Sequence, residues 1–243
     1  MQPFLIALQF LTSLPVRLSG MPEPQAAGRS MLYYPLVGLL LGTILWLVSA
    51  ALGDVALPLQ AALLLSIWVA LTGALHLDGL ADSADAWLGG FGDRERTLAI
   101  MKDPRSGPVA VVVLVLLLLL KFVALWTLLA QGDQFALLLA PLLGRSALLG
   151  LFLTTPYVRP GGLGQALAEH MPRAQVRVVL MTVFAICLLS GASGWLALLV
   201  TGAVGLLARR AMCRRLGGTT GDTAGALLEL VECAVLVVLA LQA

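Results

Sequence analysis

Between Pro108 and Ala130 the chain reads PVAVVVLVLLLLLKFVALWTLLA, twenty-three residues in which Lys121 is the single charge. About 20 predominantly apolar residues in a helix cross the hydrocarbon core of a bilayer. In hydrocarbon, only a helix or a closed barrel satisfies every backbone N–H and C=O. The rest of the chain follows suit: of its 243 residues 60% are hydrophobic and 12% charged, against the roughly 25% charge of an ordinary soluble domain. The sequence predicts an all-α, polytopic integral membrane protein. Apolar runs bounded by Pro, Gly and charge give seven expected spans, at 32–52, 58–77, 108–130, 135–155, 176–190, 195–208 and 223–242. The fifth and sixth are short and are joined by a tight SGASG turn. The first fourteen residues are apolar but shorter than a span, so they lie at the interface or re-enter. With no basic n-region and no small-residue cleavage site, no removable signal is expected. No internal repeat or linker divides the chain, so residues 1–243 are expected to form one membrane-embedded domain.

Charge then orients the spans. Arg17 and Arg29 precede the first; Arg94, Arg96, Lys102 and Arg105 follow the second. Arg159, Arg173 and Arg177 follow the fourth, and Arg209, Arg210, Arg214 and Arg215 follow the sixth. All of the 15 basic residues except Lys121 and Arg145 therefore sit on alternate connections, and the connections between them have none. The positive-inside rule places the N-terminus and these loops in the cytoplasm, and an odd span count puts the C-terminus outside.

Against this background the segment HLDGLADSADAW, 76–87, stands out, because it places three aspartates at the mouth of the second span on the basic side. In a helix Asp78, Asp82 and Asp85 occur at i, i+4 and i+7, within an arc of roughly 60°. A single Asp at a membrane-helix centre costs about 2.5–3.5 kcal/mol, and repulsion within the stripe adds to that. No Lys or Arg stands in the stripe, so a divalent cation is the simplest neutraliser, and an all-oxygen donor set points to Mg²⁺ or Mn²⁺. Asp78 and Asp82 are the expected metal ligands, joined by Asp103 or Asp222. Asp85, beside them, is the first choice of general base.

A second acidic stretch, GGTTGDTAGALLELVE at 217–232, opens the last span from the same side. Its Gly- and Thr-rich start, with Thr220 just before the helix, offers free backbone N–H groups for a phosphate or another substrate oxygen. Glu229 and Glu232 lie about 10 and 15 Å deeper than Asp222. They either serve the site, Glu229 as the second choice of base and Glu232 as a substrate contact, or pair with Lys121 and Arg145. The loop IMKDPRSGPVA at 100–110 brings Lys102 and Arg105 as phosphate clamps around Asp103. His76 either packs or joins the substrate-binding set. Cys187, Cys213 and Cys233 are odd in number, widely spaced and form neither a metal pattern nor a disulfide framework.

Several stretches together carry a resemblance: LQFLTSLPVR (8–17), YYPLVGLLLG (33–42), GALHLDGLADSADAW (73–87), MKDPRSGPVA (101–110) and GGTTGDTAGALLELVE (217–232). In this order they resemble the adenosylcobinamide-GDP ribazoletransferases, the membrane-bound cobalamin (cobalamin 5′-phosphate) synthase family. Tyr157, Arg159 and GGLG at 161–164 resemble the family's loop after the fourth span, whereas Lys102, Pro104 and Ala110 depart from its pattern. The resemblance implies a Mg²⁺-dependent transferase of the cytoplasmic (inner) membrane of a bacterium or archaeon, with its site facing the cytoplasm. Its substrates would be adenosylcobinamide-GDP and α-ribazole or its 5′-phosphate, with GMP released. Beyond these and the lipid bilayer no nucleic-acid partner is expected, and a homo-oligomer stays open. Two other classes compete on the residues alone. A prenyl- or CDP-alcohol-type phosphotransferase would use the same acids on another diphosphate, although Asp82 stands where the CDP-alcohol signature has Arg. An ion-coupled transporter would place its acids at midplane between repeats.

Overall fold

The computed structural model describes residues 2–18 and 20–242. In chain order the helices are α1 (Gln2–Leu11), α2 (Pro24–Ser30), α3 (Tyr34–Leu52, entered through a 3-10 turn at Met31–Tyr33), α4 (Leu57–Thr72), α5 (Leu75–Gly89) and α6 (Arg94–Ile100). After them come α7 (Pro108–Ala130), α8 (Ala136–Thr154), α9 (Leu163–Glu169), α10 (Arg173–Leu189), α11 (Gly191–Leu216) and α12 (Gly221–Ala240). Local chemistry sets many of the ends. Prolines in the first turn open α3, α4 and α7, where their missing N–H costs nothing. Asp93 caps α6, and left-handed Gly217 closes α11. Thr220 and Thr223 form a reciprocal capping box at the start of α12.

Five helices are long and apolar enough to cross a bilayer, or six with α4 and α5 counted as one bent span. The seven expected spans are therefore not all carried by length, since α4 has 16 residues and α10 has 17. The run expected to cross without interruption at 58–77 is broken: α4 and α5 meet at 88°. Gly73 and Ala74 are both left-handed, with φ of 59° and 57°, which ends the α4 hydrogen-bond ladder. Such a backbone disfavours a residue with a Cβ by about 1–2 kcal/mol. The segment after α1 secures the corner: Ser13 donates its N–H to Leu71 O (2.7 Å) and its hydroxyl to Ala70 O (2.6 Å), satisfying carbonyls that the break frees.

The core is built around α12, which packs on α5, α7, α8 and α11, while α3 covers α8. In α8 and α12, 78% and 72% of the most apolar window is buried, compared with 28% in α7 and 11% in α11. The outer helices thus turn their Leu and Val side chains to the surroundings, as lipid-facing helices do.

Candidate active site

A cavity of about 670 Å³ opens at the end of the bundle where α5, the start of α12 and the loops at 101–104 and 157–164 meet. Asp78 and Asp82 reach it from α5, Asp222 from the first turn of α12, and Lys102 and Asp103 from the loop before α7. Two glycines bring the segments together. A Cβ on Gly79 would stand 2.8 Å from the carbonyl oxygen of Asp222 and 3.1 Å from its Cα, and one on Gly225 would stand 3.3 Å from the Cα of His76. The two helices thus touch backbone to backbone, and Asp78 and Asp222 flank the contact.

The loops that the charge pattern assigns to one side do gather at this end. Arg94 Nε donates to Leu216 O (2.7 Å) and Arg215 Nη2 to Trp87 O (2.7 Å). A short parallel bridge pairs Tyr157 with Thr219 through Val158 N–H to Thr219 O and Thr219 N–H to Pro156 O, both 2.9 Å. The bridge lays the 155–162 loop along the entry to α12 and delivers Arg159, whose Nη1 donates to Asp222 Oδ2 at 2.6 Å. Tyr157 stacks on Phe152, with ring centroids 6.1 Å apart. Burial pushes the Tyr157 hydroxyl above its ordinary pKa, so it stays protonated and available as a donor.

Asp78 and Asp82 form no ion pair among the described residues, and Asp82 lies in the field of Asp78, Asp222 and Asp85. The cavity carries more carboxylate than cation. Asp103 also lines it but is held by its neighbour: Arg105 donates from Nε (2.9 Å), Nη2 (2.7 Å) and its backbone N–H (3.1 Å). That grip holds the Asp103 carboxyl down to about 2, so it is ionised at any working pH. Arg105 itself points to solvent and is not on the cavity wall, unlike Lys102. His76 is on the wall, buried, with Nδ1 lacking a hydrogen-bond partner among the described residues. Among those residues no three or more His, Cys, Asp or Glu side chains are grouped so that they could hold a metal ion by themselves.

Several expected site residues lie elsewhere. Asp85, the first choice of base, accepts hydrogen bonds from Gly107 N–H and from Ala110 N–H (2.9 Å) and does not line the cavity. It caps the N-terminus of α7 from a different helix, where a carboxylate satisfies orphan donors and complements the helix dipole. Glu229 and Glu232 take the pairing alternative. Lys121 Nζ contacts Glu229 Oε2 at 2.6 Å and Glu232 Oε2 at 2.7 Å, and Arg145 pairs with Glu232 Oε1. Lys121 also sits 4.9 Å from the centre of the Trp68 ring. All four charged residues are buried in the bundle core and off the cavity, which corrects Glu229 as a base and Lys121, Arg145 and Glu232 as substrate contacts. Thr220 is likewise buried as the cap of α12 rather than exposed to a ligand. The three cysteines are free, as expected.

Arg159 and Tyr157 are the cavity residues that the charge and spacing patterns did not single out. Charge patterning accounts for Arg159 only as a loop cation; the legible signal was the resemblance of that loop.

No solved structure matches the chain. A protein from Stutzerimonas stutzeri (strain A1501) named adenosylcobinamide-GDP ribazoletransferase is 71% identical over 242 residues, covering 100% of this chain and 99% of that one. Proteins of the same name from Pseudomonas putida (strain KT2440) and Pseudomonas entomophila (strain L48) are 69% identical over 241 residues and 66% identical over 243 residues. These two alignments cover 99% and 100% of this chain, and the same shares of the two relatives. The family model described as cobalamin-5-phosphate synthase matches residues 3–240, and the chain belongs to that family.

Proposed function

We propose that this chain joins adenosylcobinamide-GDP to α-ribazole or its 5′-phosphate, forming adenosylcobalamin or its 5′-phosphate and releasing GMP. The full-length relatives bearing the corresponding name support it. The observation that carries it is a cavity in which carboxylates from two distant helices meet beside Arg159 and Lys102, an arrangement suited to a diphosphate. Prenyl and CDP-alcohol transfer would use similar acids, but the family supports the corrinoid substrate. The diphosphate end would lie against the cavity's acids and cations, with the macrocycle toward its mouth.

The acids fit Mg²⁺. Asp78, Asp82 and Asp222 offer hard oxygen donors only, and a Mg²⁺ site typically keeps several waters and substrate phosphate oxygens rather than a full protein cage. Mn²⁺ would suit the same donors. Asp103, already gripped by Arg105, is a weaker candidate. Bound there, the metal would neutralise charge on the diphosphate and fix its oxygens. The acceptor hydroxyl oxygen forms a bond to the phosphorus that carries cobinamide, and the bond from that phosphorus to GMP breaks. Lys102 and Arg159 balance charge developing on the phosphoryl oxygens. The hydroxyl proton passes to Asp78 or Asp82, the cavity carboxylates without an ion pair. By the positive-inside rule the cavity end faces the cytoplasm of a bacterial or archaeal inner membrane.

Purified protein in detergent with Mg²⁺, adenosylcobinamide-GDP and α-ribazole 5′-phosphate should form GMP and adenosylcobalamin 5′-phosphate in equal amounts. EDTA should stop product formation, and excess Mg²⁺ should restore it. Absence of GMP with both acceptors would end the proposal; activity undiminished by EDTA would end its metal part.

A further inference from the structure

A second cavity, of about 420 Å³, adjoins the first, and nothing in the reaction as described so far uses it. The two share a wall made by Phe152, Tyr157, Arg159 and Pro160. Its remaining polar lining includes Gln165 and Glu169 of α9 and Arg173 at the start of α10. On the far side of the shared wall, Arg159 holds Asp222.

Building on the proposed function, we propose that this second cavity is the site of the acceptor, a nucleoside 5′-phosphate that presents its free hydroxyl across the Tyr157–Arg159 wall. Four observations support it. The volume lies within the roughly 300–1,000 Å³ of ordinary small-molecule sites, large enough for one nucleotide. In-line displacement requires the attacking oxygen to approach phosphorus opposite the leaving group. Donor and acceptor therefore need separate approaches that converge, as two cavities with one common wall provide. The lining matches the ligand as well. Arg159 and Arg173 bring two guanidinium groups, and among the described residues each has a single acceptor, Asp222 Oδ2 for one and Leu153 O at 3.1 Å for the other. A guanidinium has five N–H donors, so both keep capacity for a phosphate. Glu169 and Gln165, joined to each other at 2.8 Å, supply acceptors and donors for sugar hydroxyls, and the stacked Phe152–Tyr157 pair lies beside them.

Access is the fourth observation. Apart from Phe152, Thr155 and the first residue of α10, the lining comes from the 156–160 loop and α9, outside the five long apolar helices. A polar acceptor can therefore enter from water without crossing apolar surface.

Equilibrium binding of α-ribazole 5′-phosphate to the detergent-solubilised protein, alongside steady-state GMP formation, tests the site. Arg173→Ala should weaken binding and raise the KM for α-ribazole 5′-phosphate about tenfold. It should raise the KM for α-ribazole about twofold and leave that for adenosylcobinamide-GDP unchanged. Arg173→Lys should recover part of the loss. Because Arg173 also caps α8, Ala168→Phe serves as an independent variant: it narrows the cavity without touching a charge and should raise the KM for both acceptors. Wild-type protein that does not bind the acceptor, or acceptor binding and KM unchanged in both variants, overturns the site. So does an equal rise in both substrates' KM values. Binding weakened by Arg173→Ala in a protein that makes no GMP would instead keep the site and refute the assigned reaction.

Discussion

Two sets of charges in this molecule use the same residue types to opposite ends. In the bundle core, Lys121 and Arg145 face Glu229 and Glu232, two cations against two carboxylates, all buried. At the cavity, Asp78, Asp82 and Asp222 have one ion-pair partner among the described residues, Arg159, which leaves an excess of negative charge open to solvent. A buried charge is tolerated when it is paired, so the first set is neutral as it stands, although Arg145 Nε and Nη2 have no hydrogen-bond partner among the described residues. The second is complete only when something positive arrives. On the proposed function, the acids that serve chemistry are those whose counter-charge the chain does not fully supply, and depth along the helix is a poor guide.

That contrast can be broken by substitution. Asp82→Asn should lower kcat by about 10³-fold, roughly 4 kcal/mol of barrier, with the unfolding midpoint of the solubilised protein unchanged. Near-wild-type GMP formation would remove Asp82 from the site. Glu232→Ala should do the reverse. By stranding Arg145 and half of the Lys121 pairing in the core it should cost about 3 kcal/mol of stability, seen as a lower midpoint, while turnover per folded molecule stays near normal. Asp85→Ala sharpens the comparison, because Asp85 belongs to neither set. Losing the cap of α7 should loosen the loop bearing Lys102 and Asp103 and cost about 1–2 kcal/mol. Activity should fall roughly tenfold with a raised KM, and Asp85→Asn should restore part of it, because its side-chain carbonyl can still accept one of the two backbone N–H groups. A 10³-fold fall in kcat for both variants would mark Asp85 as a catalytic group after all. The smallest effect is expected for Gly79→Ala. Its new methyl meets the backbone of Asp222 and must move α5 from α12 by a few tenths of an ångström, lowering kcat by a fewfold.

Much of this was legible in the sequence, for reasons that also explain what was not. Most of the apolar helices follow from hydropathy, whereas pairing of the deep glutamates with Lys121 and Arg145 was only one of two readings that their charges allowed. Convergence of the segments bearing Asp78 and Asp222 follows from a topology that returns both to the same end. The corner at Gly73–Ala74 was hidden because LLLSIWVALTGALHL carries no charge and is mostly apolar, and left-handed geometry at an alanine has no compositional sign. The role of Asp85 was hidden because its partners are backbone N–H groups twenty-two and twenty-five residues away. No side-chain pattern records them. Arg159 was obscured for a related reason: its path to Asp222 depends on a two-residue bridge between loops.

The right-angled corner between α4 and α5 has one more consequence. Had the run continued straight, Asp82 would stand about 6 Å and Asp85 about 10 Å beyond Asp78 along the axis of α4, like rungs on a ladder. Turned through 88°, the same residues form a level shelf across the floor of the bundle. Cations held by Asp78 and Asp82 would then sit at one depth, so an elongated anion could meet them in a single layer without having to climb.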